Sequence, residues 1–295
     1  MNLQQLQTFV RVAELGSFSK AALVLGIAQP ALSRQVRQLE VGLRATLLLR
    51  TGRGVALTEA GRRLFEHAVG ILQLVARAEE AVSASRGEPA GRIVVGIPPS
   101  IARQLSVALV EAFERHFPQA RLAIVEGLSA HVAEWIATGR VDLGLLHNPE
   151  PQPALETEPV HAEELHLVSA PGAPAGEVRL EDLARYPLVI PERSHAIRRL
   201  LEARAATVGV RLDIAWEISS VPAILELVRS GHGHAVLGPS AVSGPGGEGL
   251  RVRRIGTPPI VNTLFVAAAA ARPATPLQQQ FRAVLRQLIA DTLVG

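Results

Sequence analysis

The side chains best suited to chemistry near the start of the chain are Gln29, Ser33, Arg34, Arg37 and Gln38. If Pro30 to Val41 is helical, they share one outer face, and Leu32, Val36 and Leu39 share the inner one. Amide, hydroxyl and guanidinium groups on such a face can grip base edges and phosphates in pairs of hydrogen bonds. Arg50 and Arg53 flank the turn Thr51-Gly52-Arg53-Gly54, where two apolar stretches imply a hairpin, and guanidinium groups there suit a nucleic-acid backbone. An ordinary helical corner with a solvated charged face would carry the same residues.

A second set stands where strands give way to helices: Pro98-Pro99-Ser100, Gly127-Leu128-Ser129, His147-Asn148, Pro191 to His195, and Ser219-Ser220. From these, Pro99, Ser100, Ser129, His147, Asn148, His195 and Ser220 are candidates for holding a small, anionic ligand. Each serine is also a good helix cap, and each histidine could be an ordinary polar loop residue. Catalysis has no such constellation. There is no G-x-S-x-G elbow, phosphate loop or H-E-x-x-H, and no cysteine for a covalent mechanism. Gly231-His232-Gly233-His234 lacks a nearby carboxylate cluster, so no metal site is assigned.

The elements that must position the first set are short helices. Asn2 and Gln5 form a capping-box pattern ahead of Leu3 to Leu15, which Gly16 ends. Ser17 caps a second helix, Phe18 to Leu25, closed by Gly26. The turn Gly26-Ile27-Ala28 leads to Pro30, a residue suited to a helix's first turn. Two helices joined by a glycine turn, the second basic outside, form a helix-turn-helix. Charge agrees. Residues 1–65 hold nine basic and three acidic side chains, a balance of +6, so the rest of a chain with net charge +3 carries −3. A basic head on an acidic body is a footprint for a polyanion, although a codon bias toward arginine could produce it by accident.

The stretch Phe9-x(7)-Ser17-Phe18-x(2)-Ala21-Ala22, with Gln29-Pro30-Ala31-Leu32-Ser33-Arg34-Gln35-Val36, Leu39-Glu40, Leu48-Leu49-Arg50-Thr51 and Leu57-Thr58-Glu59-Ala60-Gly61, resembles the winged helix-turn-helix of LysR-type transcriptional regulators. The resemblance covers the first 65 residues. Ala28 departs from it, standing where many members carry a serine or threonine cap. Pro187 to Pro191, His195 and Glu217 to Pro222 are similar to the nitrogen-assimilation branch, whose members need not take a ligand.

Thr58 can cap a long helix through Arg86, about 43 Å at ~1.5 Å per residue. Leu64, Ala68, Ile71, Val75, Ala78 and Val82 recur in it at heptad spacing, a dimerisation seam. Burial against a second copy satisfies that seam; packing on the chain's own C-terminal domain is the alternative. Gly87 to Gly91 reads as a hinge.

Beyond it, Ile93–Ile97, Leu122–Val125 and Val141–Leu146 read as strands separated by helices, which predicts a parallel sheet. Leu165–Val168, Leu188–Ile190, Leu212–Glu217 and Ala235–Leu237 make a second unit. A strand over Thr263–Ala269 and a helix over Pro276–Leu293 close the chain. Ser240 to Gly249 reads as a mobile surface loop. The fold class is therefore α+β and multidomain: a winged helix-turn-helix (1–57), a linker helix and hinge (58–90) and a C-terminal domain (91–295). By the resemblance, that domain is a two-lobed α/β effector domain like periplasmic binding proteins. Its first lobe covers 91–161 and 268–295, its second 162–267, and a ligand lies between them.

The resemblance implies a sequence-specific, ligand-modulated regulator of transcription. Its expected partners are double-stranded DNA, a second copy or a tetramer of copies, and a small effector of unknown identity, with RNA polymerase a candidate. No cofactor, membrane association or enzymatic activity is expected. The absence of cysteine, of a long apolar run and of a signal-peptide pattern at the first residues leads us to expect a cytoplasmic protein. An exported solute-binding protein or an α/β enzyme is the alternative class.

Overall fold

The computed structural model describes residues 1–52, 54–83, 90–243, 246–256 and 258–293, with the backbone alone for 79–83. It divides into two compact units, Met1–Gly91 with Ala137–Val141, and Arg92–Ile136 with Asp142–Gly295.

The first unit is built from α1 (Leu3–Leu15), α2 (Phe18–Leu25), α3 (Gln29–Leu43), β1 (Leu48–Thr51), β2 (Gly54–Leu57) and α4 (Glu59–Ser83). The capping box at α1 forms in full: the Gln5 amide donates to Asn2 Oδ1 at 2.9 Å, and the Asn2 amide to Gln5 Oε1 at 3.0 Å. Gly26 takes a left-handed φ of 64° and its N–H reaches the Ala22 and Leu23 carbonyls, which turns the chain toward α3. Ala28 gives α3 no side-chain cap. The helix runs from Gln29 past Val41 to Leu43, longer than its pattern predicts, and ends at Arg44 with φ 52°. Phe9, Val12, Leu32, Val36 and Leu39 form the head's core.

The wing is fixed from both sides. Glu40 of α3 accepts hydrogen bonds from the Leu47 and Leu48 amides at 2.8 and 3.2 Å. The Val55 amide donates to Gly16 O at 2.9 Å. Strands β1 and β2 pair antiparallel, with Leu48 opposite Leu57 and Arg50 opposite Val55. Thr58 caps α4, accepting from the Gly61 amide at 2.9 Å and donating to Thr46 O at 2.7 Å. Gly61 is required by contact: a β-carbon there would lie 2.1 Å from the Leu47 carbonyl oxygen.

The seam expected on α4 needs correction. Ala68 is fully buried in the head's own core and Leu64 packs against that core, because the start of α4 lies on α1. Ile71 and Ala78 stay exposed and Val75 half-buried, and the sequence reading missed the exposed Leu74 beside them. The Val82 side chain, the expected helix end 84–86 and the hinge residues 87–89 lie outside the described residues.

The second unit contains β3 (Gly91–Ile97), α5 (Pro99–His116), β4 (Ala120–Glu126), α6 (Ser129–Thr138), β5 (Leu143–His147), β6 (Leu155–Glu164), β7 (His166–Ser169), β8 (Leu188–Ile190), α7 (Ala196–Thr207), β9 (Ile214–Glu217), α8 (Val221–Arg229), β10 (Ala235–Leu237), α9 (Pro239–Val242), β11 (Arg251–Arg254), β12 (Val261–Ala269) and α10 (Pro276–Leu293). One lobe is a five-stranded sheet in the order β4-β3-β5-β12-β6. It is mixed rather than parallel: β3 and β5 run together, whereas β12 returns antiparallel to both β5 and β6. The other lobe holds the antiparallel set β10-β7-β11 and the parallel pair β8-β9, joined by a bridge between Leu188 and His234.

The crossing strands set the lobe boundary. Strands β6 and β12 pair along their whole lengths in the first sheet, from Leu155 opposite Ala269 to Glu164 opposite Val261. Leu264 and Val266 pack in the first core, whereas Leu165 and Ile260 pack in the second. Residues 162–164 and 261–267, assigned to the second lobe from the sequence, therefore belong to the first. Strands β6 and β11 escape the sequence reading because charged residues interrupt them. Part of the expected loop after Gly238 is the short helix α9, and residues 244–245 within it lie outside the described residues.

Candidate DNA-binding face and ligand cleft

On α3 the burial follows the helical period. Leu32, Val36 and Leu39 are at most 2 % exposed, while Gln29, Pro30, Arg34, Arg37 and Gln38 face solvent and Ser33 is half-buried. Arg34 and Arg37 form no ion pair or hydrogen bond among the described residues. Other cations of the head are already matched, Arg11 by Glu14 and both Arg62 and Arg63 by Glu59. The acidic residue of α3, Glu40, is turned to the wing amides, so its carboxylate does not face away with Arg34 and Arg37. Arg50 is exposed, its guanidinium 5.4 Å from the centre of the Phe18 ring, which holds it beside the start of α2. Arg53 lies outside the described residues.

In the second unit, six of the seven candidate ligand residues meet at one cavity of about 380 Å³. Pro99 and Ser100 enter from the start of α5, Ser129 from the start of α6, His147 from the end of β5, and His195 and Ser220 from the residues before α7 and α8. Four helix N-termini thus converge on one space, and their dipoles favour negative charge. Pro98, Leu128, Ala196, Val221 and Pro222 supply apolar wall. Arg103 also lines the cavity and escaped the sequence reading, although helical spacing places it one turn beyond Ser100. It donates to Ala241 O at 3.2 Å, and neighbouring Gln104 donates to Ser240 O at 2.7 Å, so α5 of one lobe is bonded to α9 of the other.

The serines divide by role. Ser129 Oγ accepts from the His147 amide at 2.9 Å, which orients the end of β5. Ser220, expected to cap α8 with its hydroxyl, makes no side-chain cap bond, and Ser100 lies one residue inside α5, whose N-cap is Pro98. Asn148, a candidate ligand contact, does not line the cavity. It adopts a left-handed φ of 42° and turns its amide to the crossing strand, donating to Asn262 Oδ1 at 2.7 Å and accepting from the Thr263 amide at 3.0 Å.

Burial disfavours the charged form of both histidines. Burial, with the nearby charges of His195 and His161, lowers the His147 pKa from 6.5 to about 4. His195 is lowered by burial first and then by Arg199, with Glu192 opposing. Its Nδ1 accepts the Ile197 N–H at 3.3 Å and so caps α7. His234, of the Gly231-His232-Gly233-His234 run, bonds Ser169 Oγ at 2.8 Å and meets the Tyr186 ring edge-on.

Comparison with known proteins agrees with this division. Residues 3–62 match the family model described as the bacterial regulatory helix-turn-helix protein, lysR family, and residues 86–290 match the LysR substrate binding domain. The nitrogen assimilation regulatory protein nac of Klebsiella aerogenes is 30% identical over 292 residues, 98% of this chain and 96% of that one. Nac of Escherichia coli is 30% identical over 296 residues, 100% of this chain and 97% of that one. Among solved structures, full-length CbnR complexed with its target DNA has the same fold, with a TM-score of 0.72 and 23% identity over 98% of this chain and 100% of that one. No helix among the described residues is long and apolar enough to cross a membrane. The chain belongs to the LysR family of DNA-binding transcriptional regulators, on the nitrogen-assimilation-like branch, with a helix-turn-helix head and a substrate-binding domain.

Proposed function

We propose that the chain regulates transcription as a homodimer, assembled into tetramers, that reads a two-fold DNA site with α3 and responds to a small molecule held between the lobes of its second unit. The carrying observation is the outer face of α3, where Gln29, Arg34 and Arg37 project with no partner among the described residues beside a fully buried inner face. That face suits insertion into the major groove with its N-terminal residues nearest the bases. Gln29, Ser33 and Arg34 read bases, Arg37 reads or clamps phosphate, and Arg50 and Arg53 grip the flanking backbone. Pairing uses the narrower strip Ile71, Leu74, Val75 and Ala78 rather than the whole seam. A second copy doubles the contacts and fixes half-sites about one helical turn or a multiple apart.

The ligand's part is a differential one. A molecule that binds one arrangement of the lobes better shifts the population toward it, and packing between subunits then changes how the heads meet DNA. Footprinting on the chain's own and neighbouring promoters tests the DNA reading. A pseudo-palindromic footprint is expected, and binding indifferent to sequence would overturn it. Arg34→Ala should lose ~1–3 kcal/mol at a specific site and relax preference at one position, whereas Arg53→Ala should weaken all sequences alike. Equal, uniform losses for both would refute that division.

A further inference from the structure

The hydrogen bonds behind the cavity fix which way its histidines donate, and this deepens the proposed function, resting on its reading of the cavity as the effector site. The chain of bonds is anchored at both ends by groups that have no choice. At one end the Thr263 backbone N–H can only donate, so Asn148 turns its oxygen to it, at 3.0 Å. The Asn148 nitrogen then donates to Asn262 Oδ1 at 2.7 Å. At the other end Glu163 accepts from the Ser240 backbone N–H and hydroxyl, so its carboxylate faces Asn262 as an acceptor too. Asn262 Nδ2 lies 3.1 Å from Glu163 Oε1 and 3.1 Å from His147 Nδ1. Both ends therefore demand the same orientation of Asn262, and His147 Nδ1 must accept. The proton of the neutral ring is left on Nε2.

His147 is 6 % exposed and lines the cavity, and its Nε2 has no partner among the described residues. His195 reaches the same state by a separate route, since its Nδ1 accepts the Ile197 N–H. Arg103 adds a cation. Among the described residues no aspartate or glutamate lines the space, so an ammonium group would find no carboxylate there. The apolar wall offers cover for hydrocarbon, which an inorganic anion would leave unused. At ~30 Å³ per water-sized group, the cavity holds about a dozen such groups.

We propose that the cleft takes a small organic carboxylate without an ammonium group, its oxygens received by Nε2–H of His147 and His195, with Glu163 and Asn148 together acting through Asn262 as the positioning residues that set the His147 tautomer. Glu163 also accepts from the Ser240 backbone N–H at 3.0 Å and the Ser240 hydroxyl at 2.9 Å, at the start of α9. It is packed so closely on Gly238 that a β-carbon there would lie 2.3 Å from its carboxyl carbon. One of the two groups that set the donor is thus held between the crossing strands and the second lobe.

The test uses the full chain, selectively labelled with ¹⁵N-histidine, and titrations by calorimetry with benzoate and succinate, their amides benzamide and succinamide, and the amines benzylamine and butylamine. Comparison with His147→Gln identifies the His147 signals. The expected result is a single neutral Nε2–H form for His147 and carboxylate binding at least about tenfold tighter than amide binding, as for a hydrogen bond to a charged group. Removing both anchors, in a Glu163→Gln, Asn148→Ala variant, should mix the two tautomers and lower carboxylate affinity by about tenfold, with amide affinity little changed, whereas Glu163→Gln alone should keep the Nε2–H form. An Nδ1–H form in the unmodified chain, or a Glu163→Gln, Asn148→Ala protein with tautomer and carboxylate affinity intact, overturns the positioning role. An amide or amine that binds as tightly as its carboxylate overturns the ligand class and leaves an effector cleft standing. Failure of carboxylates, amides and amines alike overturns the effector reading along with it.

Discussion

Acid should destabilise the second unit through His147 in a defined window. The ring is buried at the end of β5, and its pKa falls from 6.5 to about 4. Between those values the unfolded chain carries a proton on this histidine that the folded chain refuses. Stability therefore rises with pH from about 4 to 6.5 and is flat for this group above that window. Each pKa unit is worth about 1.4 kcal/mol, so the full window amounts to about 3 kcal/mol and the step from pH 7.5 to pH 5 to about 2 kcal/mol. His195 is shifted the same way and adds to the slope with the same sign. Urea unfolding followed by tryptophan emission reads the right region, because both tryptophans, Trp135 on α6 and Trp216 on β9, lie in the second unit. His147→Gln lowers stability at neutral pH by removing ring contacts, so the informative quantity is the change between pH 7.5 and 5. The variant should lose about 2 kcal/mol less than the parent over that interval. A variant that weakens in acid as steeply as the parent would show that His147 is not the group held uncharged.

Other perturbations separate the remaining contacts. Gly61→Ala should gain ~1 kcal/mol in helix propensity but lose more to the clash with the Leu47 carbonyl, for a net loss of about 1–2 kcal/mol and weaker DNA binding. Circular dichroism melts and gel shifts would check it, and an unchanged melt would mean the wing can yield. Glutamate at both Ile71 and Val75 should convert dimers to monomers in sedimentation at micromolar concentration, with the head's fold retained. Asn148→Ala should cost about 2 kcal/mol by losing two hydrogen bonds and straining a left-handed residue, whereas Asn148→Gly should lose only the amide's share. Equal losses in urea unfolding would show that backbone strain there is negligible.

The sequence by itself determined the elements whose causes are local. Caps at Asn2, Ser17 and Thr58, the stop at Gly26 and the 3–4 spacing of Leu32, Val36 and Leu39 each act within a few residues, so the head and the outward side of α3 were legible. Strand ends followed by serine and histidine likewise nominated most of the cavity, because a helix that follows a strand begins at the strand's end wherever the lobe lies. Tertiary structure alone decided what depends on distant partners. Ala68 fits a heptad seam in sequence, but its burial depends on where α1 lies. Asn148 looks like its neighbour His147, yet the direction of its amide is set by Asn262 and Thr263, more than a hundred residues away. Strand β6 hides among charges because one edge of a mixed sheet needs little apolar surface, and only its pairing with β12 identifies it. The tautomer of His147 is the extreme case. It rests on a carboxylate from β6, an amide from β12 and the turn of the chain at Asn148, which meet only when the crossing strands are in register.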